Sequence, residues 1–153
     1  MATWQEFADE EPEFAADVLA RLTAGGHLLL ATLRKDGSPR MGGLDPSVID
    51  GELWLGMMLN SWKARDLKRD PRFAVHTTPG EGTNGDVRIS GRAVVHEDKE
   101  PYLRALFERT GWRPDDLDLF RADITEVVRV TLEEEMVIRS WHEGRGLTRA
   151  VRT

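Results

Sequence analysis

The chain has 153 residues and a formal net charge of −6, from 27 acidic and 21 basic side chains. That length suits one domain with a real core and is short for two, and the acidic balance argues against general nucleic-acid binding. There is no cysteine, so disulfides, cysteine metal sites and cysteine nucleophiles are excluded, and no apolar run approaches the roughly 18 to 20 residues that span a bilayer.

In chain order, residues 3–24 predict two helical pieces. Thr3 caps the first, with Glu6 three residues on as in a capping box. Pro12 suits the first turn of the second, and Phe14, Val18, Leu19 and Leu22 share one face of it. The acidic, amphipathic start is no signal peptide, and the chain reads as a cytoplasmic protein. Gly25-Gly26 stops the helix, and residues 27–33 form a buried strand. Asp36-Gly37 marks a hairpin turn, and residues 39–49 return as a strand, irregular at Gly42-Gly43 and Asp45-Pro46. Asp50-Gly51 marks a second hairpin and residues 52–58 a third strand. Residues 72–77 give a fourth strand, 79–84 a loop, and 86–96 a fifth strand in which Gly91 marks a bulge. Residues 98–110 form an amphipathic helix closed by Gly111, and 114–118 predict a further helical turn. Strands follow at 120–131 and 136–141, with an exposed acidic turn at Glu133 to Glu135 and a basic tail to Thr153. The class is mainly β, an antiparallel small barrel with inserted helices rather than a parallel nucleotide-binding sheet. One domain fills 1–153, with 1–25 as a helical arm and 142–153 as a tail.

The chemistry points to residues 56–73. An apolar strand turns through Leu59 and Asn60 into a short helix that Ser61 caps. Lys63, Arg65, Lys68 and Arg69 follow, and Pro71 ends the helix. Free N–H groups, the positive end of the helix dipole and a cation then converge on one spot, which is how a chain holds a phosphate. The competing reading is a solvated basic helix. The four histidines show no ligand spacing, so no metal site is expected.

Taken together, Leu29-Leu-Ala-Thr-Leu33, Asp36-Gly-Ser-Pro-Arg40, Asp50-Gly-Glu-Leu-Trp54, Ser61-Trp-Lys-Ala-Arg-Asp-Leu67, Asp70-Pro-Arg72, Gly85-Asp-Val-Arg-Ile-Ser-Gly-Arg-Ala93 and a late Trp141 resemble the pyridoxamine 5′-phosphate oxidase-like family of FMN-binding split β-barrels. The resemblance covers about residues 25–145. It implies a homodimer with FMN, or the 8-hydroxy-5-deazaflavin coenzyme, between subunits, and a small-molecule substrate reached by hydride transfer. It implies that Ser61 and Lys63 hold the cofactor phosphate, that Arg40, Met41, Gly42 and Gly43 run along the flavin ring, that Met57 and Met58 lie under it, and that Trp141 lies near it. Trp62 covers the flavin or a dimer seam, or only packs. Arg65 either joins the phosphate site or faces solvent. Arg40 either pairs with the cofactor or is a strand-edge arginine. Two departures point away from pyridoxamine phosphate as substrate: Trp62 stands where the true oxidases carry a basic residue, and residues 141–149 lack their C-terminal substrate clamp. No protein nucleophile or strong acid/base stands out, so no catalytic residue is named. Rival readings are a non-enzymatic flavin- or haem-binding sensor on the same fold, and an interaction barrel whose basic helix is only a solvated face.

Overall fold

The computed structural model describes residues 2–80 and 82–153. Two helices lead, α1 (Trp4–Glu10) and α2 (Pro12–Ala24). The Thr3 hydroxyl accepts from the Glu6 N–H at 3.0 Å and the Glu6 carboxylate accepts from the Thr3 N–H at 3.4 Å, closing the expected capping box. Strands β1 (Leu28–Leu33), β2 (Pro39–Leu44), β3 (Val48–Ile49) and β4 (Glu52–Met57) follow. The returning strand is thus broken in two around Asp45-Pro46, where proline cannot donate to the ladder. Then come α3 (Trp62–Arg69), β5 (Arg72–Thr77), β6 (Asp86–Val95), α4 (Glu100–Thr110), β7 (Asp118–Leu132), β8 (Met136–His142) and β9 (Gly146–Arg152).

Every pairing is antiparallel, in the order β2-β1-β5-β6-β7-β4-β3, with β8 and β9 added beside β7. β7 is 15 residues long and pairs with β4, β6 and β8, so it is the seam that curls the sheet. The expected bulge is present: the β6–β7 register shifts between Ser90 and Gly91. A Cβ on Gly91 would fall 2.0 Å from the Asp123 carbonyl oxygen, so only glycine fits there. The fold is a split β-barrel, as expected.

Two expectations fail. Residues 114–118 form no helix: they run as an irregular connection, bent at Asp115, into β7, and Asp118 already pairs opposite Met57. The basic tail is no tail either, because residues 146–152 form β9 and pair along the whole of β8. Gly144 and Gly146, both at positive φ, make the turn.

The main core lies between the sheet and the leading helices, around Phe7, Val18, Leu22, Leu30, Ile89, Phe120, Ile124 and Trp141, each no more than 1 % exposed. A smaller cluster of Trp54, Tyr102, Leu103, Leu106, Leu117 and Leu119 seats α4 against the end of β4. Among the described residues no helix is long and apolar enough to cross a membrane.

Candidate functional site

The site grows from the turn between β4 and α3. Asn60 adopts a left-handed φ of 57°, which a short polar residue tolerates. Its N–H donates to the Asp118 carboxylate at 2.7 Å, so the start of β7 fixes the turn. Burial pushes the Asp118 pKa up, but hydrogen bonds from Lys68 and Asn60 outweigh it and hold the carboxyl below its usual range. Ser61 then caps α3, its hydroxyl accepting from the Ala64 N–H at 3.2 Å. The first intrahelical bond runs from the Arg65 N–H to the Ser61 carbonyl, so the N–H groups of Trp62 and Lys63 face out of the helix start.

Lys63 reaches from that start across β2. Its ammonium donates to the Gly43 carbonyl at 2.7 Å, and a Cβ on Gly42 would sit 3.0 Å from its Cδ, so glycine at 42 leaves room for the lysine stem. Burial lowers the Lys63 pKa, and the carboxylate of Asp45 works the other way. Trp62 stands 64 % exposed, with the Arg65 guanidinium 4.9 Å and the Arg40 guanidinium 5.5 Å from its ring.

Arg40 is held from below. Thr32 and Arg40 are cross-strand partners on β1 and β2, and both reach the buried carboxylate of Asp66 on α3. The Thr32 hydroxyl and the Arg40 Nε each donate to it at 2.7 Å, and Arg69 donates at 3.1 Å. Burial alone would raise the Asp66 pKa, but the three donors keep it below the usual carboxylate range.

Beside this cluster lies a cavity of about 610 Å³. Its floor is the ends of β2 and β4, with Gly43, Leu44, Gly56 and Met57. Its far wall is α4 and the connection after it, with Tyr102, Leu106, Trp112 and Leu117. Gly56 is bare because a Cβ there would lie 2.4 Å from the Tyr102 hydroxyl. Burial pushes the Tyr102 pKa up, with Ser47 beside it working the other way. Besides Tyr102, ionisable side chains enter at four points, His27, Asp45, Lys63 and Asp116.

Of the expected residues, Gly43, Met57, Met58 and Lys63 line the cavity. Arg40, Gly42, Ser61, Trp62 and Arg65 surround the α3 start beside it, and Met41, 63 % exposed, lies between Arg40 and Gly42 on β2. Trp141 is not brought there. It lies on β8, 1 % exposed, with its ring 4.9 Å from Phe7 under α1. Sequence reading missed the α4 wall, the buried Asp66 and the His27–Asp45 contact. Asp66 carried one signal: an aspartate beside Leu67 on the inward face of a basic helix needs buried donors.

The arrangement is a split barrel with an anion-attracting helix start next to a largely apolar cavity. The family model for pyridoxamine 5′-phosphate oxidase matches residues 15–131, and the chain belongs to that family. No curated protein matches it. Among solved structures it is similar to PhzG from Burkholderia lata 383, in complex with tetrahydrophenazine-1-carboxylic acid, at 17 % identity and a TM-score of 0.70, covering 98 % of this chain and 93 % of that one. A pyridoxamine 5′-phosphate oxidase-related, FMN-binding protein from Nostoc punctiforme PCC 73102 is similar at 16 % identity and a TM-score of 0.67, covering 100 % and 98 %. A conserved hypothetical protein of Mycobacterium tuberculosis is 27 % identical with a TM-score of 0.61, covering 73 % and 81 %.

Proposed function

We propose that the protein binds FMN and acts as an oxidoreductase on a small organic molecule. The observation that carries this is the convergence at the start of α3. Lys63 reaches from the α3 start into the wall of an apolar cavity, and the Arg65 guanidinium lies over the Trp62 ring on the first turn of the same helix. Neither Lys63 nor Arg65 meets a carboxylate within ion-pair distance among the described residues. A phosphate ester joined to a flat ring system suits that donor set: the helix start and cations take the phosphate, and Gly42-Gly43 with Met57 and Met58 offer a bare, apolar bed for the ring. When bound, the flavin supplies hydride transfer. This chain's part is to fix the phosphate, orient the ring against β2 and keep water from its buried face.

The same geometry favours FMN over the deazaflavin coenzyme. The longer acidic tail of the latter needs further cations, and the candidates are engaged. Lys68 pairs with Asp118 at 2.9 Å, Arg69 with Asp66 at 3.1 Å, and Arg72 with Asp70 at 2.7 Å. The Asp45 carboxylate in the cavity wall disfavours a phosphorylated substrate, Asp116 being paired with Lys99 at 2.8 Å, which agrees with a reaction other than pyridoxamine phosphate oxidation.

The working unit in this reading is a homodimer. Met41, Met58, Trp62 and Trp112 are 60 to 80 % exposed around the site, an apolar rim that a second copy would cover. Light scattering at micromolar concentration tests it: a dimer is expected, and a monomer would overturn it. The cofactor reading is tested by titrating the protein with FMN and with the deazaflavin coenzyme while following visible absorption. Saturable FMN binding supports it, and binding of neither removes it.

A further inference from the structure

The β1–β2 register pairs Leu28 with Leu44, so the next residues out, His27 and Asp45, meet across the strand ends. Their side chains touch, His27 Nδ1 to Asp45 Oδ1 at 2.8 Å, and both line the large cavity next to Lys63. The Thr78 hydroxyl donates to the His27 carbonyl at 2.9 Å and holds that strand end in place. None of His76, His96 and His142 lines the cavity: the Nδ1 of His76 and of His142 lie against the neighbouring carbonyls of Thr77 and Glu143, and His96 packs on Trp54. A carboxylate on Nδ1 fixes the tautomer and turns Nε2 into the proton-bearing or proton-accepting atom of the ring.

Resting on the oxidoreductase reading above, we propose that His27, oriented by Asp45, is the proton donor of this site, and that its substrate is a neutral, largely apolar molecule carrying a carbonyl group, such as a quinone or a conjugated ketone. The cavity supports that class. Its wall is built mainly of Leu44, Met57, Leu59, Leu106, Trp112 and Leu117, and its ionisable groups besides His27 are Asp45, Lys63, Tyr102 and Asp116, the last paired with Lys99. Lys63 is assigned to the cofactor phosphate and the Tyr102 hydroxyl lies against Ser47, so His27, held by Asp45, is the side chain placed to donate to a polarised oxygen. The step balances. The substrate accepts a hydride, two electrons and one hydrogen, from the reduced flavin, which is oxidised. The His27 Nε2–H bond breaks as an O–H bond forms on the substrate oxygen, and the neutral imidazole keeps its Nδ1–H on Asp45. Because the His27 side chain is 78 % exposed, solvent restores the spent proton.

The test uses FMN-loaded protein and menadione as the probe. In oxidised, ¹⁵N-labelled protein, menadione should shift the ring resonances of His27 saturably and leave those of His142 in place. Long-range ¹H–¹⁵N spectra should show that His27 Nδ1 keeps its proton while Nε2 is the nitrogen that gains and loses one as pH is varied, and Asp45→Asn should loosen that preference. With the flavin reduced beforehand, His27→Gln should slow menadione reduction about tenfold or more while FMN affinity stays within about twofold, and Asp45→Asn should fall between. Unmoved His27 resonances, or reduction by His27→Gln at the parent rate, would overturn the assignment and leave a surface ion pair. Failure of the parent protein to bind FMN is a different result: it removes the oxidoreductase reading and this inference with it.

Discussion

Asp66 is the most consequential single side chain at the site that touches no ligand in this account. It is 1 % exposed and accepts from Thr32, Arg40 and Arg69. Replacing it with alanine removes a buried anion and strands two charged donors and a hydroxyl. Breaking a fully buried pair costs about 3–5 kcal/mol. Here the Arg40 and Arg69 side chains keep 23 % and 37 % of their surface, so water recovers part of that, and about 2–4 kcal/mol is expected for Asp66→Ala. Asp66→Asn keeps the volume and an acceptor oxygen and should cost less, about 1–2 kcal/mol. For a chain of this length each kcal/mol moves the melting temperature by about 2–4 °C. Urea unfolding followed by circular dichroism reads the difference as a shift of midpoint at constant slope. The pH dependence gives a second reading. The Asp66 pKa is lower folded than unfolded, so its contribution is present above the unfolded value and lost as pH falls through the folded one. The parent should lose stability on acidification more steeply than Asp66→Asn. A loss below about 0.5 kcal/mol for Asp66→Ala, or parallel acid profiles, would refute the reasoning.

Three further predictions use the same assay or a sizing measurement. Gly56→Ala forces a methyl against the Tyr102 hydroxyl and ring, so it should cost about 1–3 kcal/mol and displace the α4 wall; an unchanged midpoint would contradict the packing. Trp141→Phe keeps an aromatic against Phe7 and removes an indole Nε1 that has no hydrogen-bond partner among the described residues, so it should cost about 1–2 kcal/mol and leave FMN affinity unchanged. Weaker FMN binding would return Trp141 to the site. Met58→Asp places a charge on a residue that is 80 % exposed, so it should shift light scattering from dimer to monomer while the isolated chain keeps its fold.

Local chemistry made the frame legible. Asp36-Gly37 and Asp50-Gly51 mark hairpins because their turns need left-handed backbone, and Asp50 and both glycines adopt it. Ser61 caps α3 and Gly91 seats the bulge for equally local reasons. The errors came where tertiary contacts outvote the local pattern. Residues 146–152 (GLTRAVR) mix apolar residues with two arginines and bury almost nothing, so only pairing with β8 makes them a strand. Residues 114–118 look like a helix start, but Asp118 is drawn into β7 by Asn60 and Lys68. The half of the site proposed for the phosphate is contiguous, from Ser61 to Arg65, so a spacing argument can reach it. The other half joins His27 to Asp45 and β4 to α4 across long separations, which no spacing reveals.

The central claim is that the α3 start holds a cofactor phosphate, and FMN titration of the parent against Lys63→Ala, followed in the visible band, tests it most directly. One lost charge-assisted contact is worth about 1.5–3 kcal/mol, so the account predicts saturable FMN binding weakened roughly ten- to hundred-fold in a variant that stays folded. FMN binding that Lys63→Ala leaves unchanged would place the phosphate elsewhere, and the helix would be only a solvated basic face.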